Sequence, residues 1–218
     1  DNYEKLKTLL DLMGIKYINA PGEAEHYCSL LTKFGYADAV ISEDMDNLAC
    51  GCNILIKKFS NREDYIYEYN LENILKNLEL NHMEFIDMCI LCGNDYINRL
   101  KSLTIDNIYT LIKKYKSIDN LLEKNMIVPN ANFVYEISRN IYNLKGIYLD
   151  NDILLELKTC KEPQIDNLKL FIFNNTSIDK SVFEFRINKM FKVNKLLNKE
   201  FKTNCRQNKY LNNLKLKY

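Results

Sequence analysis

The chain predicts an α/β fold: a parallel sheet with flanking helices that gives way to a mainly helical region. Three observations carry this expectation. Short apolar runs alternate with helical patterns up to Asn70, β signals fade from Leu71 onward, and a succession of short helical periods with polar connectors follows. With 218 residues, 47% of them hydrophobic, the chain can bury a full core and falls between one large domain and two small ones. No apolar run approaches the length needed to cross a bilayer, and no charged-then-apolar leader opens the chain. The first residue is Asp rather than Met, which leads us to expect a piece of a longer protein. Seven cysteines, an odd number without framework spacing, suit a reducing intracellular compartment.

In chain order, Tyr3, Leu6, Leu9, Leu10 and Met13 predict a helix over 2–13 that Gly14 ends, and a strand over Ile15 to Asn19 follows. Pro21-Gly22-Glu23-Ala24-Glu25 opens a helical pattern through Tyr27, Leu30 and Leu31, with Gly35 as its stop. The run from Ala39 to Ile41 is a buried strand that breaks into acid. Asn53 to Phe59 and Tyr65 to Tyr69 are further strands, the latter at an edge, with Ser60 to Asp64 as the turn between them. Helices are predicted over Leu71 to Leu78, Met83 to Cys92, Ile105 to Tyr115, Ile118 to Leu122 and Phe133 to Tyr142, with Asn70 and Ser117 as N-caps. A linker over Met126 to Asn130 contains Pro129. The region Leu149 to Lys161 has no clear pattern, and a segment from Pro163 to Phe173 precedes a long basic helix over Asp179 to Leu197.

The chemistry concentrates where the strand meets Ser42-Glu43-Asp44-Met45-Asp46. In an extended segment residues two apart point to the same side, so Asp44 and Asp46 converge on one cation while Met45 points into the core. Two carboxylates that close are costly without a positive charge between them, and hard oxygen donors suit Mg²⁺ or Mn²⁺ rather than zinc. A solvated acidic turn is the alternative reading. Glu23 and Glu25 can face one site if Glu23 still belongs to the incoming turn; as first-turn acids they are also ordinary helix-dipole partners. Asp95, in Gly93-Asn94-Asp95-Tyr96, stands just past a helix carboxyl end, where the dipole repels an anion, so it answers to a cation or a nearby donor. Cys50-Gly51-Cys52 and Cys89-Ile90-Leu91-Cys92 could assemble a four-thiolate zinc site. Cys89 and Cys92, however, sit in an apolar helix where free cysteine packs. His26 and His82 form no ligand spacing and no triad.

The net charge of +1 hides an asymmetry. Residues 1–96 hold 8 basic against 17 acidic side chains, whereas residues 175–218 hold 11 against 3. An acidic front with a basic tail fits a metal-dependent site acting on a polyanion, although basic tails also serve as solubilising ends.

Four motifs in register, Gly14-Ile15-Lys16-Tyr17-Ile18, Ala20-Pro21-Gly22-Glu23-Ala24-Glu25, Ser42-Glu43-Asp44-Met45-Asp46-Asn47-Leu48 and Leu91-Cys92-Gly93-Asn94-Asp95-Tyr96, resemble the internal nuclease region of flap endonucleases, the XPG-type structure-specific 5′ nucleases. Lys114 to Ile118 and Pro163 to Met190 look like the downstream part of the same family, so the similarity covers about Leu10 to Met190. The resemblance implies a PIN-like α/β nuclease with a helix-two-turn-helix element that holds duplex DNA. It would cut 5′ flaps and related branched DNA, as endonuclease or 5′-3′ exonuclease, in replication and repair. It further implies two Mg²⁺ ions, with Mn²⁺ as a substitute, held by Glu23, Glu25, Asp44, Asp46 and Asp95 as the catalytic, metal-liganding residues. The corresponding divisions are 1–96 as the internal nuclease region, 97–190 as the helical duplex-binding region and 191–218 as a basic tail. The expected setting is the nucleus, with an organelle or viral replication site as the alternative.

The sequence departs from the family in two respects. The family places further aspartates and its flap-threading arch upstream of this stretch, so the chain is expected to be a C-terminal portion lacking the N-terminal nuclease region. Arg99 to Asp106 contains no glycine where relatives carry a Gly-Ile-Gly turn, and bulkier residues hinder close approach of that backbone to phosphate. These departures motivate an alternative, a catalytically decayed DNA-binding or scaffold protein of the same fold. A third reading keeps the nuclease and changes its substrate to RNA. A sliding clamp is a partner the family implies, but Gln207 to Leu214 matches its motif poorly.

Overall fold

Local side-chain chemistry starts four of the described helices. The computed structural model describes residues 2–60, 65–100, 102–128, 133–150, 154 and 161–189. Asn70 opens α4 (Leu71–Leu78) by accepting a hydrogen bond from the Asn73 amide at 2.9 Å. Asn81 opens α5 (His82–Cys92) with a reciprocal box: its side chain accepts from the Glu84 amide at 3.0 Å, and Glu84 accepts from the Asn81 amide at 3.1 Å. Thr104 and Ser117 do the same for α6 (Ile105–Tyr115) and α7 (Ile118–Glu123). The remaining helices are α1 (Asn2–Leu12), α2 (Ala24–Lys33), α3 (Asp46–Ala49), α8 (Tyr135–Tyr142) and α9 (Ile165–Asn175), and residues 180–189 are also helical.

The sheet is smaller than expected, and mixed. β1 (Val40–Ile41) runs parallel to β2 (Ile54–Lys57), with Val40 opposite Leu55, and β3 (Tyr67–Asn70) lies antiparallel on the far side of β2, with Leu55 opposite Tyr69. A parallel pair needs a crossover, which α3 and its flanking turns supply. The strand expected at an edge after a short turn, β3, comes back antiparallel, so the sheet is parallel only between β1 and β2. The predicted strand over 15–19 does not form. Its Ile15 is 44% exposed, and the Tyr17 hydroxyl donates to Asp11 at 3.3 Å instead of packing on a sheet.

The described residues group into two compact units, 18–159 and 1–17 with 160–218. In the first, Val40, Leu48, Cys52, Leu55, Leu71 and Phe85 form one buried cluster around the sheet. A larger one gathers Ile86, Ile90 and Leu91 of α5 with Ile108, Ile112, Ile118 and Leu121 of the following helices, and takes in Leu30, Ala49, Cys50 and Tyr142. α5 is apolar on several faces because it serves both clusters. The boundary expected near residue 96 is therefore not a break in packing. In the second unit, α1 ends at Gly14, where φ is +70° and an added Cβ would lie 2.4 Å from the Lys161 carbonyl oxygen. The Gln164 amide donates to the Leu12 carbonyl at 2.8 Å, and Phe173 meets Phe183 with ring centres 5.4 Å apart.

Several expectations lie outside the described residues: most of the turn over 60–64, Pro129 of the linker, nearly all of 149–161, the end of the long basic helix beyond 189, and the basic tail with its weak clamp motif.

Candidate metal centre

Glu23 sits in extended backbone, φ −65° and ψ 132°, as the residue before α2, and Glu25 lies in the first turn of that helix. Because Glu23 still belongs to the incoming turn, the two side chains face one site, as the helical geometry required.

Asp44 and Asp46 reach the site by a different route from the one expected. The strand ends at Ile41, and Asp46 begins α3. Between them Asp44 folds back, its Oδ1 accepting from the Asp46 amide at 2.9 Å, while the Ser42 hydroxyl accepts from the Asp44 amide at 3.1 Å. A short polar side chain that can bond its own backbone two residues on favours such a turn over an extended run. Met45 accordingly points outward, 43% exposed, rather than into the core. The turn is pinned from below by the buried Asn47, whose amide donates to the Asp44 carbonyl at 3.0 Å and whose backbone oxygen accepts from the Ser29 hydroxyl of α2 at 3.2 Å. Glu43, the third acid of the run, is occupied elsewhere, accepting from the Lys58 amide at 2.7 Å.

Asp95 follows α5 after Gly93, which takes φ 92° and ψ 143°. The Asn94 side chain holds the loop, its Oδ1 accepting from the Tyr96 and Ile97 amides at 2.9 and 2.8 Å.

These segments enclose a cavity of about 280 Å³ lined by Glu23, Glu25, Asp44, Asp46 and Asp95 together with His26, Cys50, Tyr96 and Tyr142. All five acids singled out from the sequence share it. No lysine or arginine is among these lining residues. Burial pushes the Asp46 carboxyl above the usual carboxylate range; the Tyr142 hydroxyl opposes that rise, and Asp44, Asp95 and Glu25 add to it. Burial, then Asp46, Asp44 and Glu25, push the Cys50 thiol up to about 12, and burial does the same to Cys89. Among the described residues, Cys50, Cys52, Cys89 and Cys92 do not gather into a four-thiolate site.

The donor set, hard carboxylate oxygens without a compensating protein cation, fits a divalent ion such as Mg²⁺ or Mn²⁺. Among the described residues, however, no three His, Cys, Asp or Glu side chains stand close enough to enclose a metal ion. The acids share a cavity, not a ready coordination sphere. Mg²⁺ tolerates this because it keeps several of its waters and takes only one or two carboxylates directly.

Sequence reasoning missed His26, Cys50 and Tyr142. His26 could have been found as the neighbour of Glu25. Tyr142 carries no sequence signal, since only the packing of α8 brings it to the cavity.

The family model for the XPG I-region matches residues 14–95, the stretch that contains all five acids. Flap endonuclease 1 of Plasmodium knowlesi (strain H) is 36% identical over 211 residues, covering 88% of this chain and 35% of that protein. Flap endonuclease 1 of Enterocytozoon bieneusi (strain H348) is 33% identical over 209 residues, 88% of this chain and 58% of the relative. Among solved structures, flap endonuclease-1 from Methanococcus jannaschii superposes with a TM-score of 0.74 at 24% identity, over 88% of this chain and 58% of that one. The chain thus spans about a third of the P. knowlesi protein and little more than half of the other two. Residues 14–95 are the XPG I-region of a chain that belongs to the flap endonuclease, or XPG-type, family.

Proposed function

We propose that the protein containing this chain is a Mg²⁺-dependent, structure-specific 5′ nuclease that cuts flapped or branched DNA in replication and repair. The observation that supports it best is the gathering of Glu23, Glu25, Asp44, Asp46 and Asp95 around one cavity with no basic lining residue. In this reading those five residues hold two divalent ions. Bound there, the ions would supply an activated water and neutralise charge on the leaving oxygen.

The chain's own residues do the positioning. α2 and the Ser42–Asp46 turn set four of the carboxylates, and the Asn94 loop sets Asp95. Duplex DNA is held by the helical part, where the N-terminus of α6 offers backbone amides beside the turn that begins at Arg99. That turn, glycine-free, buries Leu100 and closes with the Leu103 amide donating to the Leu100 carbonyl at 3.0 Å. It serves the core as well as any ligand, which predicts weaker backbone contact to phosphate than a glycine turn would allow. The compartment we assign is the nucleus.

The test is cleavage of a labelled 5′-flap substrate by the full-length protein with Mg²⁺, wild type against Asp44→Asn. A large loss of rate is expected, and equal rates would remove the assignment. A second reading, a DNA-binding protein that has lost its chemistry, is favoured by the lack of a ready three-ligand cluster among the described residues. Calorimetry with Mn²⁺ separates the two, because a decayed site binds no ion in a carboxylate-dependent way.

A further inference from the structure

Tyr142 is the last residue of α8 and is 1% exposed, and its buried hydroxyl makes no hydrogen bond of good geometry although it stands near enough to Asp46 to lower that carboxyl's pKa. The side chain lines the acidic cavity. A second unspent donor stands nearby, the Asn94 Nδ2, also buried and unpartnered. Its own carbonyl oxygen is already committed to the Tyr96 and Ile97 amides, which fixes the carboxamide and leaves Nδ2 free to donate. Asn94 and Asp46 both lie close enough to the Tyr142 hydroxyl to bear on its ionisation, Asn94 as a donor to the oxygen and Asp46 as an acceptor from it. Buried polar groups left unmatched in this way are rare and point to a ligand or an alternative arrangement.

We propose that Asn94, Tyr142 and Asp46 form a hydrogen-bond relay that orients the Asp46 carboxylate for a divalent ion: Asn94 Nδ2–H donates to Tyr142 Oη, and Tyr142 O–H donates to Asp46. In that arrangement Asp46 would be held from behind where a divalent ion would bind, and the two buried donors would both have acceptors. Tyr142 is thus a positioning residue, acting through a carboxylate rather than on the substrate. Its own position is held from the same face of α8, where Arg139 one turn earlier is locked to Asp87 of α5. Groups that orient a metal ligand from behind commonly matter tenfold or more for metal affinity.

The inference rests on the metal reading above, and one set of measurements separates the two. Mn²⁺ is titrated calorimetrically into the full chain as wild type, Asp46→Asn and Tyr142→Phe, and the metal-free melting temperature of each is recorded. Phe keeps the ring and removes only the hydroxyl. The expected result is roughly tenfold weaker Mn²⁺ binding by Tyr142→Phe, with a metal-free melting temperature equal to or above that of wild type. Equal Mn²⁺ affinity in wild type and Tyr142→Phe overturns the relay and leaves the metal reading standing. Weaker binding accompanied by a lowered melting temperature makes Tyr142 a packing residue and also overturns it. Wild type that shows no Asp46-dependent Mn²⁺ binding overturns the metal reading and the relay together.

Discussion

Arg139 of α8 grips Asp87 of α5 with two parallel hydrogen bonds, Nε to Oδ1 at 2.9 Å and Nη2 to Oδ2 at 2.8 Å. Asp87 is 2% exposed and also accepts from the Ile118 amide at 2.9 Å, so one carboxylate ties α5, α7 and α8 together. Arg139 reaches Asp119 as well, at 2.9 Å, and lies over the Tyr135 ring. Burial still pushes the Asp87 carboxyl upward despite its partners.

Removing Arg139 strands a buried acid. Arg139→Met should lose about 3–5 kcal/mol of stability in urea denaturation. Arg139→Lys should lose much of the same, since an ammonium cannot match the two-pronged geometry. The double change Asp87→Leu with Arg139→Met should recover part of the loss, because neither charge then remains buried while the Ile118 amide loses its acceptor.

Gly93 should tolerate no side chain. Its φ of 92° with ψ of 143° is a region that essentially only glycine occupies, and an added Cβ would lie 2.9 Å from the Arg99 amide nitrogen. Gly93→Ala should cost on the order of 1–3 kcal/mol. Because Asp95 follows two residues later, Mn²⁺ affinity should fall in the same variant, measured alongside its thermal melt.

Divalent ions should stabilise the chain through the acidic cavity. At a Mn²⁺ concentration of 100 times its Kd the gain is about 2.7 kcal/mol, and a chelator should reverse it. Asp46→Asn should respond little to Mn²⁺, but in metal-free buffer it should melt no lower than wild type, since it removes a half-buried charge crowded by Asp44, Asp95 and Glu25.

His82 should make the fold sensitive to mild acid. Its ring nitrogen Nε2 meets the Ala49 carbonyl at 3.0 Å, and burial, followed by Lys33, lowers its pKa below the ordinary histidine value. The unfolded chain therefore takes up a proton at a higher pH than the folded one. His82 contributes stability that is fully present above about pH 6.5 and is lost as pH falls through the folded pKa. His82→Gln should flatten that part of the stability-against-pH curve, read by denaturant midpoints across the range.

Much of this protein was legible residue by residue. Asn70 and Ser117 announce α4 and α7 because a short oxygen-bearing side chain can take up a free helix amide within three residues, an interaction that needs no other part of the chain. α4 and α6 occupy the predicted spans, and all five acids arrive at one cavity. What failed were elements whose form depends on distant partners. Ile15 to Asn19 reads as a strand but joins no sheet among the described residues, since an extended segment becomes a strand only where a neighbouring strand supplies its ladder of hydrogen bonds.

By itself the sequence determined the starts of α4 and α7 and the apolar helix faces, since these rest on interactions a few residues apart. The tertiary structure alone decided that Asp44 and Asp46 meet through a turn pinned by Asn47 and Ser29, that β3 runs antiparallel, and that Tyr142 lines the same cavity as Asp46. Those outcomes depend on which distant groups exclude water together, and burial of that kind leaves no periodic trace along the chain.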